Sequence, residues 1–221
     1  MERVAVDILW ARHGENVANV TRTLSYRVFD GDLTDAGRQQ ARELGERLAA
    51  GGAGPVGLLV CSPLRRARQT ADIVGRRLGL PVAMELDDLR EVNVGDLDGR
   101  SDARAWEIYA RVVAAWRAGD ASAGFPGGEN RDELCDRLRR ALMAVAAASG
   151  EARSLVVAHG ANLRAALPGL TGGGDPGTDL PTGRVAALQV VPAAPSAPGA
   201  PGVPAGPSVR LVSWPGAAPA E

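Results

Sequence analysis

The chain has no lysine: all 25 of its basic residues are arginine. That absence removes the P-loop lysine, Schiff-base chemistry and pyridoxal attachment together. Histidine is almost as scarce, with only His13 and His159, so the positions of these two carry weight. The two cysteines, Cys61 and Cys135, do not make a disulfide framework, and Cys61 sits in an apolar run as a small buried hydrophobe. No apolar stretch approaches the roughly 20 residues of a membrane span. No secretory signal is visible, because the start carries Glu2 and Asp7 and runs straight into a strand-like segment. A reducing cytoplasm is therefore the expected location. The net charge of −1 points neither to nucleic acid nor to a membrane surface. What remains is ordinary for a globular protein, 45% hydrophobic and 23% charged, and 221 residues suit one domain with a small insertion.

Strand and helix signals alternate along the chain. Val4 to Trp10 is a short apolar run that ends at Ala11-Arg12-His13-Gly14-Glu15 and reads as a buried strand and its loop. Thr34 can cap a helix to about Ala50 that Gly51-Gly52 stops. Val56 to Cys61 is a second buried strand. Ser62-Pro63 then offers an N-cap and a first-turn proline for a helix to about Leu78. Pro81 to Leu86 predicts a third strand. A cap-like insertion spans about 92–128, with one clear helix from Ala103 to Arg117. Trp106, Tyr109, Val113 and Trp116 recur on that helix at helical spacing, either burying it on the body or roofing a pocket. Asn130 with Glu133 resembles a capping box for a helix to about Ala148. Ser154 to Ala158 is a fourth strand, ending at His159-Gly160, and a short helix runs from there to Leu167. Arg184 to Val191 and Ser208 to Ser213 predict two late strands. The Pro/Ala/Gly tract between them, 192–207, reads as a flexible loop. The alternation predicts a three-layer α/β/α sandwich with a mainly parallel central sheet, all in a single domain over 1–221.

Both histidines fall at the ends of predicted buried strands. In open α/β sheets ligands bind beyond the carboxyl ends of the strands. The loop after the second strand carries Arg65 and Arg66, and the loop after the third carries Glu91. Adjacent parallel strands would bring these four loops to one crevice. The residue types there suit phosphoryl transfer. Guanidinium forks match a phosphate dianion, and a neutral imidazole is a competent nucleophile near neutral pH. A second imidazole would add positive charge beside the phosphate, and a carboxylic acid would supply the proton that the leaving alkoxide needs. The expectation is that two imidazoles far apart in the chain meet around a single oxyanion.

The motifs resemble those of the histidine phosphatase superfamily, in its phosphoglycerate-mutase-like branch. Arg12-His13-Gly14-Glu15 resembles the R-H-G-[EQ] signature. Leu33-Thr34 with Gly37, Gln40 and Ala41 is similar to its "LT..G..QA" segment. Ser62 to Ala71 is similar to S-x-L-x-R-A-x-x-T-A, and Leu89 to Gly95 to L-x-E-x-x-x-G. Gly127-Gly128-Glu129 resembles G-G-E-S, and Val156 to Arg164 resembles V-x-S-H-G-x-x-x-R. The resemblance implies that His13 accepts the phosphoryl group while Arg12, Arg66 and His159 hold it. It implies Glu91 as proton donor and later base for water. Asn19 and Gly160 join the phosphate-binding set. It implies no metal and no cofactor. Glu15 is then a carboxylate that tethers a helix rather than the acid.

The sequence departs from the pattern at Gly95-Asp96-Leu97-Asp98-Gly99, at Asn130 and at Thr182, which puts substrate identity in question. Phosphoglycerate mutases carry E-R-H-Y-G around the acid. Glu91-Val92-Asn93-Val94-Gly95 stands here instead, so a phosphatase is expected ahead of a mutase. The expected substrate is a small phosphorylated metabolite, with Arg22, Arg27, Arg100 and Arg104 as candidates for reading a second acidic group. No nucleic acid or membrane partner is expected, and a homodimer is left open. Two rivals stand. Asp30 to Thr34 fits D-x-D-x-T and Gly174 to Asp179 fits G-D-x-x-x-D, as in metal-dependent haloacid-dehalogenase-type phosphatases. A non-catalytic regulator on the same fold is the other.

Overall fold

The structure, a computed structural model, describes residues 5–51, 54–191 and 208–215. The tract 192–207 expected as a flexible loop lies outside the described residues. In chain order the elements are β1 (Val6–Arg12), α1 (Val17–Thr21), α2 (Asp35–Ala49), β2 (Val56–Cys61), α3 (Arg65–Leu78) and β3 (Met84–Glu85). Then follow α4 (Ala103–Arg117), α5 (Arg131–Ser149), β4 (Arg153–Ala158), α6 (Gly160–Thr171), β5 (Val185–Val191) and β6 (Ser208–Ser213).

The strands form one six-stranded sheet in the order β3-β2-β4-β1-β5-β6. β3, β2, β4 and β1 run parallel, while β5 and β6 are antiparallel additions at the far side. Because helices cover both faces, the central strands are apolar at almost every position rather than alternating. Ile8 and Trp10 of β1 join Val156 and Ala158 of β4 in the cluster under α4, α5 and α6. Leu9 and Ala11 join Leu155 and Val157 in the opposite cluster, under α2 and α3. This is the expected α/β/α sandwich. Val92, Val94, Leu97, Ala105, Val112, Trp116 and Phe125, from the segment 92–128, are buried in the same cluster as the sheet.

Several local expectations are corrected. α3 starts at Arg65, and its N-cap Leu64 makes no side-chain hydrogen bond. Ser62 is instead turned to His159, a use that outcompetes capping. β3 is only two residues long. Pro81 has no N–H to give a ladder, so pairing is confined to the stretch beyond Val82. α6 runs past Leu167 and through Pro168, because Leu170 is buried in the core and Gly172, at φ 69°, caps the helix by donating to the Pro168 carbonyl at 3.0 Å.

One close approach positions the loop after β1. The His13-Gly14-Glu15 backbone lies directly on the first turn of α2, which Thr34 caps by accepting from the Gly37 N–H at 3.0 Å. A Cβ on Gly37 would sit 1.9 Å from the Glu15 carbonyl oxygen, and one on Gly14 would sit 2.3 Å from the Gly37 carbonyl oxygen. Both neighbours are backbone, so neither can step aside. Gly37→Ala is expected to lower the unfolding free energy by about 2 kcal/mol or more. Gly174→Ala, where nothing lies within 4 Å of the added carbon, leaves it unchanged. Equal chemical-denaturation midpoints for the two variants would contradict this account.

Candidate active site

The carboxyl ends of β1, β2 and β4 are tied together by backbone hydrogen bonds. His13 N–H donates to Ala158 C=O at 3.0 Å and Ser62 N–H to Val157 C=O at 2.9 Å. The two histidines, one after β1 and one after β4, thereby meet: their ring centroids are 5.2 Å apart, with planes at 63°. Both rings are buried, His13 at 2% exposure and His159 at 0%.

Hydrogen bonding defines the His13 tautomer. Nδ1 lies 2.7 Å from the Gly14 carbonyl oxygen, which can only accept. Arg66 donates from Nε to His13 Nε2 at 3.1 Å, and an arginine can only donate. Both contacts are satisfied by a neutral ring protonated on Nδ1, with a lone pair on Nε2. Arg66 is itself held by Ser25, through Oγ and the carbonyl oxygen at 3.0 Å each, and it faces Asp30 at 3.5 Å.

His159 is held from both ends. Trp10 Nε1–H donates to its carbonyl oxygen at 2.8 Å, and its Nε2 lies 2.8 Å from Ser62 Oγ. Ser62 Oγ already accepts from Leu64 N–H at 3.3 Å. Among the described residues the Ser62 hydroxyl proton has no acceptor other than Nε2, and its donation there leaves the ring proton on Nδ1. That Nδ1 is buried without a hydrogen-bond partner among the described residues. Such an orphan asks for an acceptor.

Glu91 enters from the loop after β3. Its Oε1 accepts from Asn162 N–H at 2.7 Å, in the first turn of α6, and from Val92 N–H at 3.0 Å. A buried frame holds that loop. Arg137 on α5 makes a fork–fork pair with Glu129 at 2.8 and 2.7 Å. The same guanidinium donates to the carbonyls of Asp88, Arg90 and Glu91 at 2.7 to 2.9 Å. Asn162 donates from Nδ2 to the carbonyls of Leu89 and Arg90. Glu129 also accepts from Asn93 N–H at 2.8 Å.

Arg12, His13, Asn19, Arg66 and Glu91 line one recess of ≈ 140 Å³. His159 does not line it and sits against His13 in the interior. Gly160 lines an adjoining cavity together with Arg12, and a Cβ there would lie 2.9 Å from Arg12 Cδ. Asn19 Oδ1 accepts from Asn16 N–H at 3.1 Å, in a capping box that shapes α1. Thr34 Oγ1 donates to Glu15 Oε1 at 2.7 Å, so Glu15 does tether α2.

The arginines expected to read a second acid do not reach either cavity. Arg22 lies over the Trp106 ring, Arg27 faces Asp87 and Arg100 pairs with Asp102. Arg104 is exposed. The aspartates of the D-x-D-x-T pattern are spent on structure. Asp30 accepts from Arg65 N–H, and Asp32 accepts from Gln69 Nε2. Ser62, Asn162, Glu129 and Arg137 were missed as site residues. The available signal was Arg137 itself, an arginine on the buried face of α5 between Leu134 and Leu138.

Both imidazole pKa values lie well below the ordinary 6.5. Burial is the main cause, and Arg66 the next; Arg12 adds to the shift at both rings, and Arg137 at His159. The recess can accept a phosphate: Arg12, Arg66, the neutral His13 ring and the Glu91 carboxyl group line one space, with His159 packed behind His13.

Residues 8–192 match the histidine phosphatase superfamily (branch 1), and the chain belongs to that family. It is 34% identical over 162 residues to the uncharacterized phosphatase PhoE of Bacillus subtilis, covering 73% of this chain and 76% of that one. It is 33% identical over 159 residues to phosphoglycerate mutase-like protein 4 of Arabidopsis thaliana, covering 72% and 68%. Among solved structures, a mycobacterial glucosyl-3-phosphoglycerate phosphatase superimposes with a TM-score of 0.74 at 25% identity, covering 96% and 99% of the two chains. The chain is thus an enzyme of the histidine phosphatase superfamily.

Two outcomes follow from this geometry. Arg137→Met leaves the Glu129 carboxylate buried and alone, and should cost about 3–5 kcal/mol in denaturant unfolding; a loss below 1 kcal/mol, on the order of a surface pair, would contradict the frame described. The histidines also predict a pH dependence. Above about pH 6.5 neither the folded nor the unfolded state protonates these rings. Below it the unfolded chain takes up protons that the folded site refuses, so stability falls as pH falls, by up to about 1.4 kcal/mol per pH unit per ring. The His13→Gln/His159→Gln double variant should show a flatter slope between about pH 7 and pH 5. An unchanged slope would mean that the rings are charged in the folded protein.

Proposed function

We propose that the enzyme hydrolyses a small-molecule phosphomonoester through a phosphohistidine on His13. The observation that carries this reading is the pair of contacts at His13, Nδ1 on the Gly14 carbonyl and Nε2 accepting from Arg66, which fit a neutral ring in a recess lined by arginines. Nε2 attacks phosphorus in line, an N–P bond forms, and the P–O bond to the leaving alcohol breaks. Glu91 gives that alcohol its proton, through the carboxyl group that Asn162 and Val92 orient. Water then attacks the phosphohistidine with Glu91 as base, and the N–P bond breaks to release inorganic phosphate. Arg66 shifts its Nε–H from the nitrogen to the phosphate oxygens as substrate enters. Arg12 supplies a second fork, and Asn19 and the Gly160 N–H are further contacts. His159 supplies the Nδ1–H that has no partner in the free site.

Hydrolysis is favoured over mutase activity because the loop at Glu91-Val92-Asn93 carries no Arg-His-Tyr and the chain has no lysine to bind a phosphoglycerate carboxylate. No helix of the described residues is long and apolar enough to cross a membrane.

The test is a screen of phosphomonoesters with wild type, His13→Ala and Glu91→Gln. Wild type should hydrolyse at least one ester with the rate unchanged by a chelator. His13→Ala should lose all turnover and all acid-labile phosphoenzyme. Glu91→Gln should slow the reaction about 10²–10⁴-fold. Chelator-sensitive turnover, or turnover surviving in His13→Ala, would overturn the proposal. Phosphoryl transfer to a second phosphoglycerate faster than to water would assign a mutase, and no turnover with any ester would favour a regulator.

A further inference from the structure

The recess at His13 adjoins a larger cavity of ≈ 630 Å³, a volume typical of small-molecule sites. Arg12, Trp106, Tyr109 and Ala161 line both spaces. An ester whose phosphorus sits at His13 has room for its alcohol part between α4 and α6. The near walls are apolar and partly aromatic. Trp106 and Tyr109 stand edge to face at 5.3 Å on α4, with Val113 beyond them, and Ala161, Ala165 and Pro168 face them from α6. Trp106 keeps its ring in place by donating from Nε1 to the Arg22 carbonyl at 2.8 Å.

The charged residues of this cavity are already matched to one another. Asp175 bridges Arg117 of α4 and Arg164 of α6, at 3.0 Å to each Nε. Asp179 pairs with the remaining face of Arg164, whose side chain is only 15% exposed. A substrate carboxylate that sought either guanidinium would have to compete with an aspartate already in place, and Arg164, the more buried of the two, is engaged by both Asp175 and Asp179. Arg131 also lines the cavity, with no aspartate or glutamate partner among the described residues. Its guanidinium donates to the Trp116 carbonyl at 2.5 Å. Trp116 lies about 15 Å along α4 from Trp106, so Arg131 is too remote for a group adjoining the ester. Among the described residues, the cations lining the recess at His13 are Arg12 and Arg66, which a bound phosphate would engage.

We propose that the substrate is the phosphate monoester of a bulky, uncharged, ring-containing alcohol, and that Asp175 and Asp179 exclude esters with a carboxylate near the phosphorylated carbon. The ring lies between the α4 aromatics and the α6 alanines. The aspartates act by occupying in advance the arginines that would otherwise recruit an acid. This rests on the phosphatase reading above, and it adds to that reading the nature of the leaving group.

The test compares primary alkyl esters of similar intrinsic reactivity, so that leaving-group chemistry does not set the order. 2-Phenylethyl phosphate and a nucleoside 5′-monophosphate represent the proposed class; O-phosphoserine and 3-phosphoglycerate represent the excluded one. Wild type should favour the ring esters by about tenfold or more in kcat/KM. Asp175→Asn, checked for a native thermal transition, should raise kcat/KM for the two acids by roughly tenfold and shrink the preference. Acids hydrolysed as well as or better than the ring esters by wild type would overturn the inference while leaving the phosphatase reading standing. A folded Asp175→Asn protein with an unchanged preference would overturn the role of the aspartates. No turnover with any of the four would remove the phosphatase reading and the inference with it.

Discussion

Arg66 donates from Nε to His13 Nε2, and that contact exists only while the ring is neutral. A protonated imidazole would present an N–H to a guanidinium already buried beside it. Burial and the neighbouring arginines hold both rings in the uncharged form, and the Gly14 carbonyl selects which nitrogen keeps the proton. The low imidazole pKa is thus a consequence of packing cations around a neutral group. In the proposed reaction a phosphate dianion would supply the negative charge that offsets these arginines, and the arginines that keep His13 unprotonated would be the ones that bind the group it attacks.

That arrangement depends on a rigid frame outside the recess. The loop carrying Glu91 has almost no regular structure of its own, since β3 is two residues long. Its carbonyls are instead gathered by Arg137 and by Asn162, and its neighbour Asn93 is held by Glu129. An arginine with five donors in a fixed plane can hold three carbonyls and a carboxylate at once. Ser62 does the corresponding work for His159. The charge inside this frame is paired, so the cost of burying it is met locally and the acid is held in a defined place.

The aromatic face of helix α4 serves two tasks. Trp116 is buried and packs against Phe125 at 5.4 Å, with its Nε1–H on the Ala123 carbonyl. Trp106 and Tyr109, two or three turns earlier, line both cavities, and Tyr109 also stacks on Phe125 at 5.5 Å, while Trp116 lines the larger cavity as well. The aromatic stripe therefore packs the helix on the body and walls a pocket at the same time.

The amino-acid sequence by itself determined the order of strands and helices, the parallel core, and the placing of Arg12, His13, Arg66, Glu91 and His159 at strand ends. Each of these follows from local pattern: apolar runs, caps, and motifs at short spacing. Only the tertiary structure decided the rest. Ser62 reads as a helix cap until the chain places His159, 97 residues away, within 2.8 Å of it. Arg164 reads only as the last residue of a motif until Asp175 and Asp179 are found paired with it. Arg22, Arg27, Arg100 and Arg104 read as ligand-binding candidates until each is found away from the cavities. A side chain's chemistry is set by what it is packed against. The partners that matter here come from distant parts of the chain, where local pattern carries no information about pairing.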